Sequence, residues 1–203
     1  MSEFAAVPTT TLADLLGREQ VMDGGIRPLW DGASLAGPAF TVRVPAGDNL
    51  MVHAAIHRAP AGSVVVVEAG DMDFALAGGN VCAVAQRNGI AGFVLDGVIR
   101  DLGEIRALGF PVFARGVIPI PGAKEVVAPL EEPVRCGGVT VSAGDVVVAD
   151  EEGVVVVPAA RADEVLAAAQ ATLAQEAGET LDRWEAAHRA KIDELLRARG
   201  FDA

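Results

Sequence analysis

The apolar positions of this chain fall first into short runs with no polar alternation. Ser63-Val64-Val65-Val66-Val67 and Ala91–Leu95 are each of strand length, and the first is almost wholly β-branched. Strands that do not alternate are buried on both faces, as in a parallel sheet. Between them the pattern turns helical. Phe40–Val44 predicts a strand, and Asp48-Asn49 an N-cap opening a helix through Arg58, which Pro60-Ala61-Gly62 ends. The Gly78-Gly79 turn precedes a helix to about Asn88, with Gly89 as its stop. Asp101–Leu108 predicts a short helix and Pro111–Ala114 a strand. Strands alternating with helices predict βαβ units and an α/β fold with a partly parallel sheet.

After Gly116 the character changes. Val134–Cys136, Val139–Val141, Asp145–Ala149 and Gly153–Val157 are short strands with no room for helices between them, so this half is predicted to be antiparallel. Near the N-terminus a short helix is expected around Thr11–Leu16. From Pro158 onward apolar residues recur among charges at helical spacing, with a break near Gly178. The division expected is a domain over 1–160 and a helical extension over 161–203, packed on a neighbouring subunit or folded back on its own.

Composition narrows the function. The chain has 203 residues, of which 51% are hydrophobic and 22% charged, enough for a packed core. Sixteen Lys+Arg against twenty-eight Asp+Glu leave a net charge of −12, which argues against nucleic acid as a principal partner. No apolar run approaches the roughly 18 residues of a membrane span, and the N-terminus lacks the pattern of a secretory signal. A cytoplasmic location with no membrane partner is the expectation. Cys82 and Cys136 form no CxxC pair and are read as small core residues.

Several familiar chemistries are absent. His53 and His57 share a helix face but lack the glutamate of a zinc-peptidase helix, so packing on Val and Met is the preferred reading. Only two lysines exist, Lys124 in a loop and Lys191 in the tail, which disfavours an imine mechanism. The informative stretch is Asp96-Gly97-Val98-Ile99-Arg100-Asp101-Leu102-Gly103-Glu104, which follows an apolar strand and opens a helix. Ligands of open α/β sheets bind beyond the carboxyl ends of strands. Arg100 could hold a carboxylate or a developing enolate oxygen, and Asp101 could hold Mg²⁺. The plain alternative is that Asp101 caps the helix, Glu104 favours its first turn and Arg100 is solvated. Gly78-Gly79-Asn80-Val81 offers backbone amides at a second helix start, or simply a turn.

Together these segments resemble the RraA-like family, which also holds the 4-hydroxy-4-methyl-2-oxoglutarate aldolases with oxaloacetate decarboxylase activity. The likeness runs from Thr9 to about Val165. It is carried by Gly37-Pro38-Ala39-Phe40-Thr41-Val42, Asp48-Asn49, Gly78-Gly79, Gly89-Ile90-Ala91-Gly92, Asp96-Gly97-x-x-Arg100-Asp101-x-x-Glu104 and Gly144–Asp150. The resemblance implies a swivelling β/β/α domain in a homotrimer, or a hexamer of two trimers, with sites between subunits. It implies that the Gly78, Gly79, Asn80 and Val81 amides hold the carboxylate of a small 2-oxo acid. Arg100 would bind the keto-acid oxygens, and Asp101 would hold Mg²⁺ or Mn²⁺. The implied activity is a metal-dependent carbon–carbon lyase, an aldolase that also decarboxylates oxaloacetate through a shared pyruvate enolate. The family's other branch, a non-catalytic regulator that binds and inhibits an RNA-degrading endonuclease, is the alternative. The chain departs from the aldolase pattern at Gly79, where an acid is usual. Asp71 and Asp73 are candidate substitutes, Glu176 and Glu179 candidate donors to a neighbour's site, and Gly79→Asp should raise aldolase activity where that gap is limiting.

Overall fold

The computed structural model describes residues 3–201. Its strands are β1 (Arg27–Pro28), β2 (Leu35–Val44), β3 (Val64–Ala69), β4 (Gly92–Ile99), β5 (Val112–Val117), β6 (Val134–Cys136), β7 (Val139–Val141), β8 (Val146–Asp150) and β9 (Gly153–Val157). Its helices are α1 (Thr9–Leu16), α2 (Leu50–Ala55), α3 (Gly79–Arg87), α4 (Leu102–Leu108), α5 (Ala162–Glu176) and α6 (Leu181–Ala198). Seven strands form one mixed sheet in the order β1-β5-β4-β3-β2-β8-β9, and β6 and β7 form a separate antiparallel ribbon. β2, β3, β4 and β5 are parallel, with α2, α3 and α4 in the crossovers. β8 and β9 add on antiparallel.

The valine run is explained by two cores on opposite faces of β3. Val65 and Val67 pack with Phe40, Val42, Val52, Cys82, Phe93, Leu95 and Ile105 on the helical side. Val64 and Val66 pack with Met22, Ile26, Val94, Phe113, Cys136 and Val141 beneath the β6–β7 ribbon. All four valines are fully buried, each stabilising by about 1.5–3 kcal/mol. A third cluster joins α1 and α5 to β8 and β9 through Leu12, Leu16, Val155, Val157, Val165 and Ala169.

β2 is longer than the pattern predicts because it serves both halves. Leu35–Pro38 pairs with β8, and Ala39–Val44 pairs with β3. Gly37 is small because the strand passes against the carbonyl of Gly62, where a Cβ would collide. β4 also outruns its prediction, reaching Ile99, so Asp96 and Gly97 lie in the strand and not in the turn after it. α2 is shorter than expected: past Ala55 the chain tightens into turns, the His57 and Arg58 amides donating to the Ala54 and Ala55 carbonyls at 3.2 and 3.0 Å. The break near Gly178 is present between α5 and α6, and Thr180 caps α6 by accepting from the Arg183 amide. α5 folds back on α1, whereas α6 is exposed along its whole length. Among the described residues no helix is long and apolar enough to cross a membrane.

Candidate active site

The carboxyl ends of β3 and β4 deliver two turns side by side. After β3 the chain runs through a loop to Gly78 and enters α3 at Gly79. After β4 it places Arg100 and Asp101, then enters α4. The Arg100 amide donates to the Ala77 carbonyl at 3.0 Å, which ties the turns together. Asp101 adopts a left-handed backbone (φ 59°, ψ 36°), a conformation that Asp reaches more readily than most residues. Its carboxylate does not cap its own helix α4. Its Oδ2 instead accepts from the Gly79 amide at 3.1 Å, at the start of α3, and lies 3.6 Å from Arg100 Nε. The capping alternative for Asp101 is therefore set aside by the geometry.

The two glycines are small for a steric reason. A Cβ on Gly78 would collide with Asp101 Oδ2, and one on Gly79 would collide with Glu104 Oε2 and crowd Glu104 Cβ at 3.1 Å. The Glu104 side chain thus lies across Gly79, and its carboxylate stands where an acidic residue at 79 would begin. From the sequence Glu104 is only a first-turn residue of α4; the fold brings it against Gly79 and makes it a candidate. Its spacing three after Asp101, with a glycine at 79, was the available signal. One amide of the Gly78–Val81 turn is taken by Asp101. Those of Asn80 and Val81 precede the first hydrogen bond of α3, Cys82 N to the Gly78 carbonyl at 3.0 Å, and so have no partner within the helix.

These groups open into a cleft with about 350 Å³ of empty space, its mouth included, lined by Gly78, Asn80, Val81, Arg100 and Asp101. Its opposite wall comes from Asn49, His53, Pro121 and Lys124. Packing on Val and Met is the expectation for His53; the structure puts it in the cleft wall, while His57 is exposed. Burial, then Lys124, His57 and Arg100, lower the His53 pKa and favour the neutral ring. Asp48 fastens the Lys124 loop by accepting from the amides of Leu50 (2.8 Å), Glu125 (2.7 Å) and Val126 (3.2 Å). Burial pushes the Asp48 carboxyl up, and these donors with Lys124 more than offset it, so its pKa is lowered.

Other candidates lie elsewhere. Asp71 accepts from Gly47, Asp73 and Phe74 amides and shapes a turn, and neither Asp71 nor Asp73 lines the cleft. Glu176 and Glu179 are exposed at the α5–α6 junction. Asp96 turns away to Arg115 and the Gly137 amide. Cys82 and Cys136 are buried, and burial pushes the Cys82 thiol up to about 12. Among the described residues no three His, Cys, Asp or Glu side chains converge as a metal cage. Asp101 lines the cleft, and Glu104 lies beside it across Gly79; Mg²⁺ is typically held by one or two such carboxylates and keeps several waters.

The model of the RraA-like family (Aldolase/RraA) matches residues 9–156. This chain belongs to the RraA-like family. A family relative from Halalkalibacterium halodurans, named "Putative 4-hydroxy-4-methyl-2-oxoglutarate aldolase", is 37% identical over 202 residues, covering 99% of this chain and 92% of its own. The RraA-like fold is also that of Streptomyces coelicolor RraAS2, described as an unusual member of the RNase ES inhibitor RraA protein family. It superposes with a TM-score of 0.77 at 31% identity, over 86% of this chain and 92% of that one. The RNA-processing inhibitor RraA from Thermus thermophilus gives 0.68 at 32% identity, over 74% and 92%.

Proposed function

We propose that this RraA-like protein is a divalent-metal-dependent pyruvate lyase, cleaving 4-hydroxy-4-methyl-2-oxoglutarate-type substrates and decarboxylating oxaloacetate. The observation that carries the reading is the meeting, in one cleft, of the Arg100 guanidinium, the Asp101 carboxylate and the amides at the start of α3. Asp101 and Glu104 would hold Mg²⁺ or Mn²⁺, which would supply Lewis acidity toward the substrate's 2-keto oxygen. The Asn80 and Val81 amides receive the 2-oxo acid's carboxylate at the positive end of α3. Arg100 donates to the keto oxygen, and its hold tightens as that oxygen becomes an enolate. In cleavage the C3–C4 bond breaks, its electron pair passes to the enolate, and the C4 hydroxyl proton leaves to solvent as C4 becomes a carbonyl. Protonation at C3 then releases pyruvate. Oxaloacetate loses CO₂ from the same bond and leaves the same enolate.

Lys124 is exposed, which disfavours it as an imine nucleophile, since that role wants a desolvated amine. Its charge suits the distal carboxylate of the substrate. Assembly as a homotrimer or hexamer belongs to the proposal. Ile120, Val126 and Val127 are exposed around the Lys124 loop, and Leu181, Trp184 and Leu195 along α6. The test is pyruvate release from both substrates with Mg²⁺ or Mn²⁺ and then with EDTA. Metal-dependent turnover is the expected result. Silence on both would favour the second reading, a binding protein of the inhibitor type, which the descriptions of the two solved relatives support.

A further inference from the structure

We infer that Asn49 distinguishes a hydroxy-acid substrate from its keto counterpart, its side-chain oxygen accepting a hydrogen bond from the substrate's C4 hydroxyl. This rests on the reading proposed above and deepens it. Asn49 is 3% exposed and lines the cleft with Arg100 and Gly78. Its Nδ2 donates to the Ala75 carbonyl at 3.1 Å. A carbonyl can only accept, so that contact decides which end of the amide is nitrogen and which is oxygen. Oδ1 is then buried without a protein donor, and among the described residues it is the one buried side-chain nitrogen or oxygen in that condition. A buried acceptor left unpaired carries its full desolvation penalty, so a ligand bringing a donor gains by filling it.

The residue is not free to turn away. Its amide donates to the Ala123 carbonyl at 2.8 Å, and its carbonyl accepts from Val52 at 3.1 Å and His53 at 3.3 Å. Arg100 and Lys124, which line the same cleft, are donors. They suit carboxylate and keto oxygens, which carry no hydrogen. The hydroxyl at C4 is the one donor on an ionised 4-hydroxy-2-oxo acid, and keto oxaloacetate has none. A site with a buried group waiting for a hydroxyl discriminates against the analogue that lacks it.

The test uses the full chain loaded with Mg²⁺ and two variants, Asn49→Leu and Asn49→Asp. The quantity read is kcat/KM for 4-hydroxy-4-methyl-2-oxoglutarate cleavage divided by that for oxaloacetate decarboxylation. In Asn49→Leu both rates fall, because the loop ending at Gly78 loses its tie at Ala75, and the ratio falls by at least about tenfold. Asn49→Asp keeps an acceptor at the same place, so the rates drop while the ratio stays within about threefold of the parent. Equal losses on both substrates in Asn49→Leu would overturn the inference and leave Asn49 as a loop tie only.

A second measurement is independent of turnover. Calorimetry compares citramalate with 2-methylsuccinate, which differ by one hydroxyl. The parent should bind citramalate at least about tenfold more tightly, and Asn49→Leu should lose that preference. Equal affinities in the parent would overturn the inference, as when a water already serves Oδ1. A hydroxyl preference without pyruvate release from either substrate would sustain this inference while the lyase reading fails.

Discussion

Two Arg–Asp groups, one on β5 and one just past the end of β4, show what separates a tie from a site. Arg115 on β5 is held by Asp23 through both terminal nitrogens, at 3.0 and 2.8 Å, and by Asp96 through Nε. Asp96 in turn accepts from the Gly137 amide at 2.8 Å, so the group bolts the N-terminal segment and the β6–β7 ribbon to the sheet. Arg100 has one carboxylate neighbour, at 3.6 Å, and its side chain is 41% exposed against 24% for Arg115. A guanidinium with its donors occupied stabilises a fold; one with donors to spare can receive a ligand's oxygens.

The largest expected effect that would break this comparison is at Arg100. Arg100→Ala is expected to lower kcat/KM for both substrates by at least about a hundredfold, the scale for one electrostatic stabiliser, with an unchanged melting temperature. Near-normal turnover would remove Arg100 from the proposed chemistry. Asp101→Ala should abolish activity together with its response to added Mg²⁺, while light scattering shows the same oligomer as the parent. An oligomer that falls apart would make Asp101 a structural residue like Asp96.

Gly79→Asp sharpens the picture further. The family resemblance implies that an acid here raises aldolase activity where its absence is limiting. With Glu104 lying across Gly79, the structure reverses that expectation, because the new side chain must displace Glu104 and brings a second negative charge against it. Activity should fall by up to about a hundredfold, on the scale of a group misplaced by about an ångström. A rise would show that Glu104 does not stand in for the acid.

Arg115→Ala should do the opposite of Arg100→Ala. The protein loses about 1–3 kcal/mol in denaturant unfolding, since Asp96 is left partly buried without its ion-pair partner, and retains most of its kcat. Arg115, then the Gly25 amide, hold the Asp23 carboxyl below its ordinary value, against the opposing effect of burial. A carboxyl whose folded pKa is depressed contributes stability above its unfolded value of about 4, and that contribution is lost as pH falls through the folded pKa. The gap between parent and Arg115→Ala should therefore be full near pH 7 and narrow below about pH 4. A constant gap would assign the loss to packing. The smallest signal is a null one. Borohydride added with pyruvate should leave Lys124 unmodified by mass spectrometry, and a trapped adduct would replace the metal reading with an imine.

Much of the fold is written locally. The β-branched runs at 64–67 and 154–157, the glycines at 89 and 109 and the break at 178 announce their elements, because burial on both faces and helix termination need particular residues at particular places. What misled was small residues within strands. Asp96-Gly97 reads as part of the turn after the strand, yet both lie in β4, and 97 is glycine because a Cβ there would strike Leu76. The candidate site was legible as far as two adjacent turns, Gly78–Val81 and Arg100–Asp101, each following an apolar strand.

Its opposite wall was not legible. His53 and Lys124 are seventy-one residues apart and share a cleft only because Asp48 and Asn49 tie the Lys124 loop back to α2. Glu104 and Gly79 gain meaning only from the packing of α4 beside α3. The sequence by itself determined the family, the α/β plan and the Arg100–Asp101 turn, since strand burial and helix ends depend on neighbours within a few positions. The tertiary structure decided which carboxylate is spent on a tie, which lies over a glycine and which buried oxygen is left without a donor. Those outcomes depend on where separate strands end relative to one another, and no local pattern encodes that.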